Sequence, residues 1–376
     1  MKVEFYKHSL IDEDIQNTVK ALRSLFLTTG PVCAEFENRF SSFTGVEHTV
    51  ALSSCTAAIQ LTLEALGVGP GNEVITTPMT FIATATAIIH TGAKPVLVDI
   101  EPETGLIDPD LVESAITPKT KAIVPVHLYG TMADMKAFRS IADRHGLFLV
   151  EDAAHCIEGE RDGIRPGQIS DAACYSFYAT KNLTCGEGGA LATNNRTLSE
   201  KVRTLRQHGM SNEASDRYHG LYQHWDMVDL GWKYNFNDIL AALLITQMAR
   251  LRFYWEKRQR LYSKYCELFE GIDILTIPEL RGKSAHHLFT IHVPSRLRDL
   301  LVRYLGEERI GVAVNYRAIH TLTWFKKTFG FQANDFPKAK AFGDRTISLP
   351  FYPNLQVEEL NAVVAAVIGG LNQIFK

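Results

Sequence analysis

The chain has 376 residues, 46% of them hydrophobic and 22% charged, the profile of a globular protein of about two to three domains. A formal net charge of −3 leaves no basic footprint, so nucleic acid is not an expected partner. No apolar run reaches the roughly 20 residues that span a bilayer, so no membrane segment is expected either.

From about residue 50 the chain alternates apolar runs with helical patterns. The expected strands are Thr49–Leu52, Glu73–Thr77, Pro95–Asp99, Ala122–Val126, Phe148–Glu151, Ala173–Phe177 and Gly189–Thr193. Several are apolar almost throughout, as strands covered on both faces are. Between the first two, Thr56–Leu66 places Ile59, Leu63 and Leu66 on one helical face. Met132–His145 repeats that type of pattern and stops at Gly146. Alternation of this kind predicts an α/β class protein with a mostly parallel seven-stranded sheet. Ligands of such sheets collect at the carboxyl ends of the strands. The texture then changes. A helix without glycine or proline is expected over Ile239–Glu270, followed by strand-like runs at Leu288–Val293 and Ile347–Phe351. The expected division is residues 1–240 as the large α/β domain and 241–376 as a connecting helix with a smaller α+β domain.

The start, Met1-Lys2-Val3-Glu4-Phe5-Tyr6-Lys7-His8, lacks a signal-peptide core, and with no disulfide pattern this points to the cytoplasm. None of the six cysteines forms a Cys-x-x-Cys pair, so no metal site is expected and the thiols read as small, buried, reduced side chains.

Four features at strand ends can carry chemistry. Phe148–Asp152 ends in two acids, Glu151 and Asp152, which either cap a helix starting at Ala153-Ala154-His155 or aim a carboxylate into a cleft. Ser53-Ser-Cys-Thr-Ala-Ala58 opens a helix with small and hydroxyl residues: a plain capping turn, or an anion site where free amides meet a phosphate. Phe81 follows another strand end and is either core or a ring to stack on a flat ligand. Lys181 ends the extension of Ala173–Phe177. It is either a surface charge or, if partly desolvated, an amine nucleophile. Together they match one cofactor. Pyridoxal phosphate requires a lysine for a Schiff base, an acid for its pyridinium nitrogen, a phosphate cradle and a ring to stack on. Lys181, Asp152, the Ser54–Thr56 turn and Phe81 supply all four.

Thr28-Thr-Gly-Pro31, Gly69-Pro-Gly-Asn-Glu-Val-Ile75, Glu151-Asp-Ala-Ala-His155, Lys181-Asn with Gly186-Glu-Gly-Gly189, Gly231-Trp-Lys-Tyr-Asn235 and Asn315-Tyr-Arg-Ala-Ile-His320 run over nearly the whole chain. In these the sequence resembles the DegT/StrS-type sugar-nucleotide aminotransferases, which have the fold type I architecture of aspartate aminotransferase. Lys181-Asn-Leu-Thr-Cys-Gly-Glu-Gly-Gly189 and Gly231–Asn235 look most like the UDP-4-amino-4-deoxy-L-arabinose aminotransferases. The resemblance implies that Lys181 bonds the cofactor and shuttles the proton, and that Asp152 pairs with the pyridinium nitrogen. His155 would lie near the 3-hydroxyl and Phe81 would stack on the ring. Thr56 and Ser176 would hold the phosphate. Cys55 stands in that turn where many relatives have glycine. Asn235 would reach the phosphate of a neighbouring subunit, which implies a homodimer, and Thr29 and His320 would flank the substrate's path.

The implied reaction is a ping-pong transamination from L-glutamate to a keto sugar nucleotide, with C4 of the sugar favoured over C3. A dehydratase on the same fold would carry histidine in place of Lys181. A cyclitol or other keto substrate, and a non-catalytic sensor of the cofactor or of an amino sugar, are the alternatives. Gly186, Gly188 and Gly189 are expected to supply torsions that other residues resist, and Glu187 to make a structural hydrogen bond.

Overall fold

A computed structural model describes residues 1–211 and 224–374. Its main sheet holds β1 (His48–Leu52), β2 (Glu73–Thr76), β3 (Lys94–Leu97), β4 (Thr120–Ile123), β5 (Phe148–Asp152), β6 (Ala172–Ser176) and β7 (Gly189–Thr193), in the order β1-β7-β6-β5-β4-β2-β3. All pairings are parallel except those of β7, which runs against both β1 and β6. Each expected strand is present, with ends shifted by up to three residues. The expected run through Val126 is shorter as a regular strand, yet Val124 N–H still donates to Ile75 O and Val126 still bridges Asp152.

The apolar runs are explained by two helical layers. Ile75, Ile123, Leu149, Ala173 and Ala190 face one core, with Phe36 and Phe40 of helix Pro31–Thr44 and Phe138 of helix Met135–His145. Their neighbours Val74, Ala122, Val150, Ala172 and Leu191 face the other, with Ile59 of helix Cys55–Ala65, Ile88 of Ile82–His90 and Val202 of Arg196–Leu205. The period of two puts alternate residues of every strand into different cores. Burying each large aliphatic side chain favours folding by about 1.5–3 kcal/mol.

The long helix is Asp238–Leu268, close to the expected Ile239–Glu270. Asn237 caps it by accepting from Leu240 N–H at 2.9 Å. Asp238 reaches the other way and accepts from the amides of Gly30 and Cys33, both at 2.9 Å, at the start of helix Pro31–Thr44. Beyond this helix, β8 (Phe289–His292) and β9 (Thr346–Leu349) pair antiparallel. They share a third core with helices Ser295–Glu307 and Val357–Ile374 and with Val3 from the start of the chain. No helix among the described residues is long and apolar enough to cross a membrane.

Candidate active site

The carboxyl ends of β1, β5 and β6 and the start of β7 open on one cleft of about 520 Å³. Its walls include Cys55, Thr56, Phe81, Asp152, His155, Ser176 and Lys181, so seven of the ten residues singled out in the sequence are brought together.

The two acids at the end of β5 have different surroundings. Glu151 is fully buried and points away from the cleft. Its carboxylate accepts from Gly167 N–H at 2.7 Å and Ser170 Oγ at 2.5 Å, and lies 2.6 Å from His127 Nε2. Because His127 Nδ1 accepts from Ala133 N–H, the proton is on Nε2 and is donated to Glu151. Asp152 faces the cleft. Its Oδ2 accepts from Thr84 Oγ1 at 2.7 Å and its Oδ1 from Ala154 N–H at 3.1 Å. The expected helix at Ala153–His155 is instead a turn, and Asp152 caps that turn through a single amide. Two hydrogen bonds therefore hold the carboxylate in place at the cleft wall.

Ser54 caps helix Cys55–Ala65 by accepting from Ala57 N–H at 3.0 Å, and Thr56 stands on the first turn where the helix meets the cleft. Its free amides and dipole favour an anion there. Of the three glycines after Lys181, only Gly186 takes a left-handed torsion, with φ of 88°. Gly189 is required for a different reason: a Cβ there would lie 2.3 Å from Ser54 C and 2.4 Å from Cys55 N. Gly188 is likewise confined by the ring of Phe236 at 2.9 Å. Two of the three glycines thus allow close packing rather than an unusual torsion. Cys55 is buried against the carbonyl of Cys174, with its sulfur 4.0 Å from Asp152 Oδ1, and burial raises its thiol pKa well above the ordinary value.

Lys181 is not on a strand. β6 ends at Ser176, and Lys181 closes a turn through its N–H to Tyr178 O at 2.9 Å. The side chain is half-buried. Desolvation lowers its pKa from 10.5 to about 8, with Asp152 and then Cys55 opposing the shift. Phe81 is 54% exposed, the reverse of a core aromatic, and its ring meets Tyr316 at 5.6 Å. Burial, then the charge of Lys181, lowers the His155 pKa well below the ordinary value. Its Nδ1 accepts from Tyr129 N–H at 3.2 Å, so its Nε2 donates to Tyr316 Oη at 3.0 Å.

Thr29 and His320 do not line this cleft, and neither does Asn235, which was expected at the phosphate of a neighbouring subunit. Asn235 Nδ2 donates to Thr29 Oγ1 at 2.9 Å, and Thr29 in turn donates to Phe236 O, forming a cluster beside the cap of helix Pro31–Thr44. His320 is fully buried. Its ring packs on Phe336 and its Nε2 lies 3.3 Å from Ala333 O, so burial removes it from any direct path of a ligand. Glu187 is exposed on the cleft wall and makes no side-chain hydrogen bond among the described residues, contrary to the expected structural bond. Conversely, Thr84, His287 and Tyr316 line the cleft without having been singled out. Thr84 had a local signal, since it follows Thr80 by one helical turn and the two hydroxyls lie 2.7 Å apart. Tyr316 stands inside a motif quoted above, but nothing local gives it a role.

The whole chain has close counterparts. A family model, DegT/DnrJ/EryC1/StrS aminotransferase family, matches residues 8–368. The chain belongs to that family. It is 42% identical over 364 residues to the spore coat polysaccharide biosynthesis protein SpsC of Bacillus subtilis, covering 94% of this chain and 93% of SpsC. Among solved structures it is similar to Spr1654 of Streptococcus pneumoniae, a provisionally named sugar aminotransferase, in its PMP form. There the TM-score is 0.94 at 31% identity, with 99% and 100% of the two chains covered. It is also similar to PseC of Helicobacter pylori, an aminotransferase involved in the biosynthesis of pseudoaminic acid, with TM-score 0.92, 28% identity and coverage of 99% and 100%. The fold is that of the fold type I transferases. The protein is a pyridoxal-phosphate-dependent aminotransferase. The residues present fit that cofactor: a desolvated lysine, an immobilised carboxylate, an exposed ring and a helix N-terminus kept open by Gly189 share one cleft.

Proposed function

We propose that this protein transfers the amino group of L-glutamate to a keto sugar nucleotide, most readily at C4 of the sugar, and that it works as a homodimer. The observation that carries the reading is the meeting of Lys181 and Asp152 in a single cleft that the exposed Phe81 also lines. When bound, pyridoxal phosphate supplies an electrophilic aldehyde and an electron sink for a carbanion. Asp152, fixed by Thr84 and Ala154, would hold the proton on the ring nitrogen. Thr56 and Ser176 would hold the phosphate beside the start of helix Cys55–Ala65. Tyr316 accepts from His155 and so keeps its own hydroxyl proton available to an oxygen in the cleft. Lys181, near its midpoint at about pH 8, would bond the cofactor and later be displaced by the donor's amine. It would then take the proton from the donor's α-carbon and deliver it to the adjacent carbon of the cofactor.

Two features support a second copy of the chain at this site. Lys181 is the one lysine or arginine side chain among the described residues of the cleft wall, whereas a sugar nucleotide adds a diphosphate to the cofactor's phosphate. Leu25 and Leu230, close in sequence to Thr29 and Asn235, are also 71% and 78% exposed, so apolar side chains on the two segments joined by the Asn235–Thr29 bond stand uncovered in the single chain. The sugar substrate fits the relatives' named roles in polysaccharide and pseudoaminic acid synthesis. The test is a panel of 3-keto and 4-keto UDP-, GDP- and dTDP-sugars incubated with glutamate and read by mass spectrometry. An amino sugar and 2-oxoglutarate in equal amounts are expected. No product from any member would overturn the substrate class.

A further inference from the structure

His287 lines the cleft together with Lys181, and both also line a small inner cavity behind it. Its protonation can be deduced from its neighbours. Arg258 of the long helix is buried and ion-paired with Glu158. The other oxygen of Glu158 accepts from Asn182 Nδ2 at 2.8 Å, and the same Nδ2 donates to Ala285 O at 2.9 Å. Both partners are acceptors only, which fixes the amide orientation. Asn182 Oδ1 therefore faces His287 Nδ1, 3.3 Å away, and can only accept. His287 must carry its proton on Nδ1, leaving Nε2 as a lone pair with no hydrogen-bond partner among the described residues. His155, 4.3 Å away ring to ring, holds the opposite tautomer.

We propose that His287 is a positioning residue for Lys181: the Asn182–Glu158–Arg258 chain holds it as the Nδ1–H tautomer, so that Nε2 stands as a hydrogen-bond acceptor for the lysine amine. This rests on the reading of Lys181 as the reactive amine. The relay begins on the long helix and passes through Asn182, the residue next to Lys181, so one chain of bonds sets both the backbone turn and the acceptor. The other groups facing this region are Asp152, Cys55 and His155 around Lys181, with Glu158 and Arg258 behind His287. Both His155 nitrogens are committed, to Tyr129 and Tyr316, whereas His287 Nε2 makes no hydrogen bond among the described residues and so is free to accept. Burial, then the charges of His155 and Lys181, lowers the His287 pKa well below the ordinary range and keeps the ring neutral.

The test uses the cofactor-free protein. Acetylation of Lys181 by acetic anhydride is followed against pH by peptide mass spectrometry, relative to surface lysines. In His287→Phe, which keeps a ring but removes the acceptor, the labelling midpoint of Lys181 is expected to fall by about 1 pH unit, the effect of losing one hydrogen bond to a charged group. In His287→Gln, whose amide oxygen reaches the Nε2 position, it is expected to stay at the wild-type value. An unchanged midpoint in folded His287→Phe, or an equal fall in both variants, would overturn the proposal. Independently of any fold defect, nitrogen-15 spectra of the histidines in the wild-type protein should show His287 protonated at Nδ1. A signal for the Nε2–H or doubly protonated ring would refute it. Neither readout involves a sugar or the bound cofactor, so a failed substrate panel leaves this test intact.

Discussion

Replacing Gly189 by alanine adds a single methyl group behind the Ser54–Thr56 turn, the proposed phosphate cradle. Gly189 opposes Leu52 on β1 and Ser176 on β6, so strand pairing holds it on both sides. The new Cβ would lie 2.3 Å from Ser54 C, 2.4 Å from Cys55 N and 2.6 Å from Ser54 O, about 1 Å inside ordinary contact. All three atoms are backbone, and no rotamer change can relieve them. The Ser54–Thr56 turn must move away from β7, and the amides that would meet the phosphate move with it. Overpacking of this kind costs about 1–3 kcal/mol, and an unyielding backbone contact places it near the upper end. If most of that appears in cofactor binding, pyridoxal phosphate affinity falls roughly tenfold to a hundredfold. Gly186→Ala is the control. Its φ of 88° strains an alanine, by about 1–2 kcal/mol, but no atom lies within 4 Å of the added Cβ, so the cradle stays in place. The assay is titration of each apo protein with pyridoxal phosphate, read by absorbance, alongside thermal melting. A Gly189→Ala protein with wild-type affinity and melting temperature would refute the packing argument.

The adjacent acids should separate cleanly. Asp152→Asn should keep wild-type melting behaviour but lose at least about a hundredfold in turnover, because the ring nitrogen loses its counter-charge. Glu151→Gln should instead lower stability by about 3 kcal/mol, by breaking the buried contacts to His127, Gly167 and Ser170, as denaturant titration would show. Arg258→Met leaves Glu158 buried without its partner and is expected to cost about 3–5 kcal/mol, measured in the same way. The Lys181 amine, with its pKa at about 8, should react with amine reagents well below the pH at which exposed lysines do. The sign of its linkage follows. Between about pH 8 and 10.5 the unfolded chain holds a proton that the folded chain has lost, so this group's contribution to apo stability rises with pH across that window. A Lys181→Met protein compared with wild type by melting temperature against pH would reveal the opposite slope if the reasoning were wrong.

The sheet was legible because its strands are buried on both faces, and period-two alternation between two cores leaves continuous apolar runs such as Phe148–Val150 and Gly189–Ala192. The cleft residues at the carboxyl ends were legible for the same reason, since a strand's end fixes where the next side chain goes. What failed was local geometry. Ala153–His155 reads as a helix start, but the backbone of Val126 and His127 pairs with Asp152 and holds the chain in a turn. Gly188 and Gly189 look like torsional glycines, although their requirement comes from Phe236 and Ser54, far off in sequence. Long-range placement failed as well. His287 and Tyr316 reach the cleft only because the C-terminal part folds back on the sheet, and no spacing in the sequence records that. His320 shares a motif with Tyr316, four residues earlier, yet lies in a separate apolar pocket with Phe336.

The most direct test of the account is borohydride reduction of the protein loaded with pyridoxal phosphate, followed by peptide mass mapping. The account predicts a visible absorbance that reduction removes and a pyridoxyl group on Lys181. It also predicts that Lys181→Arg, treated alike, carries none and does not turn over. A label on a different lysine, or full turnover by Lys181→Arg, would contradict it.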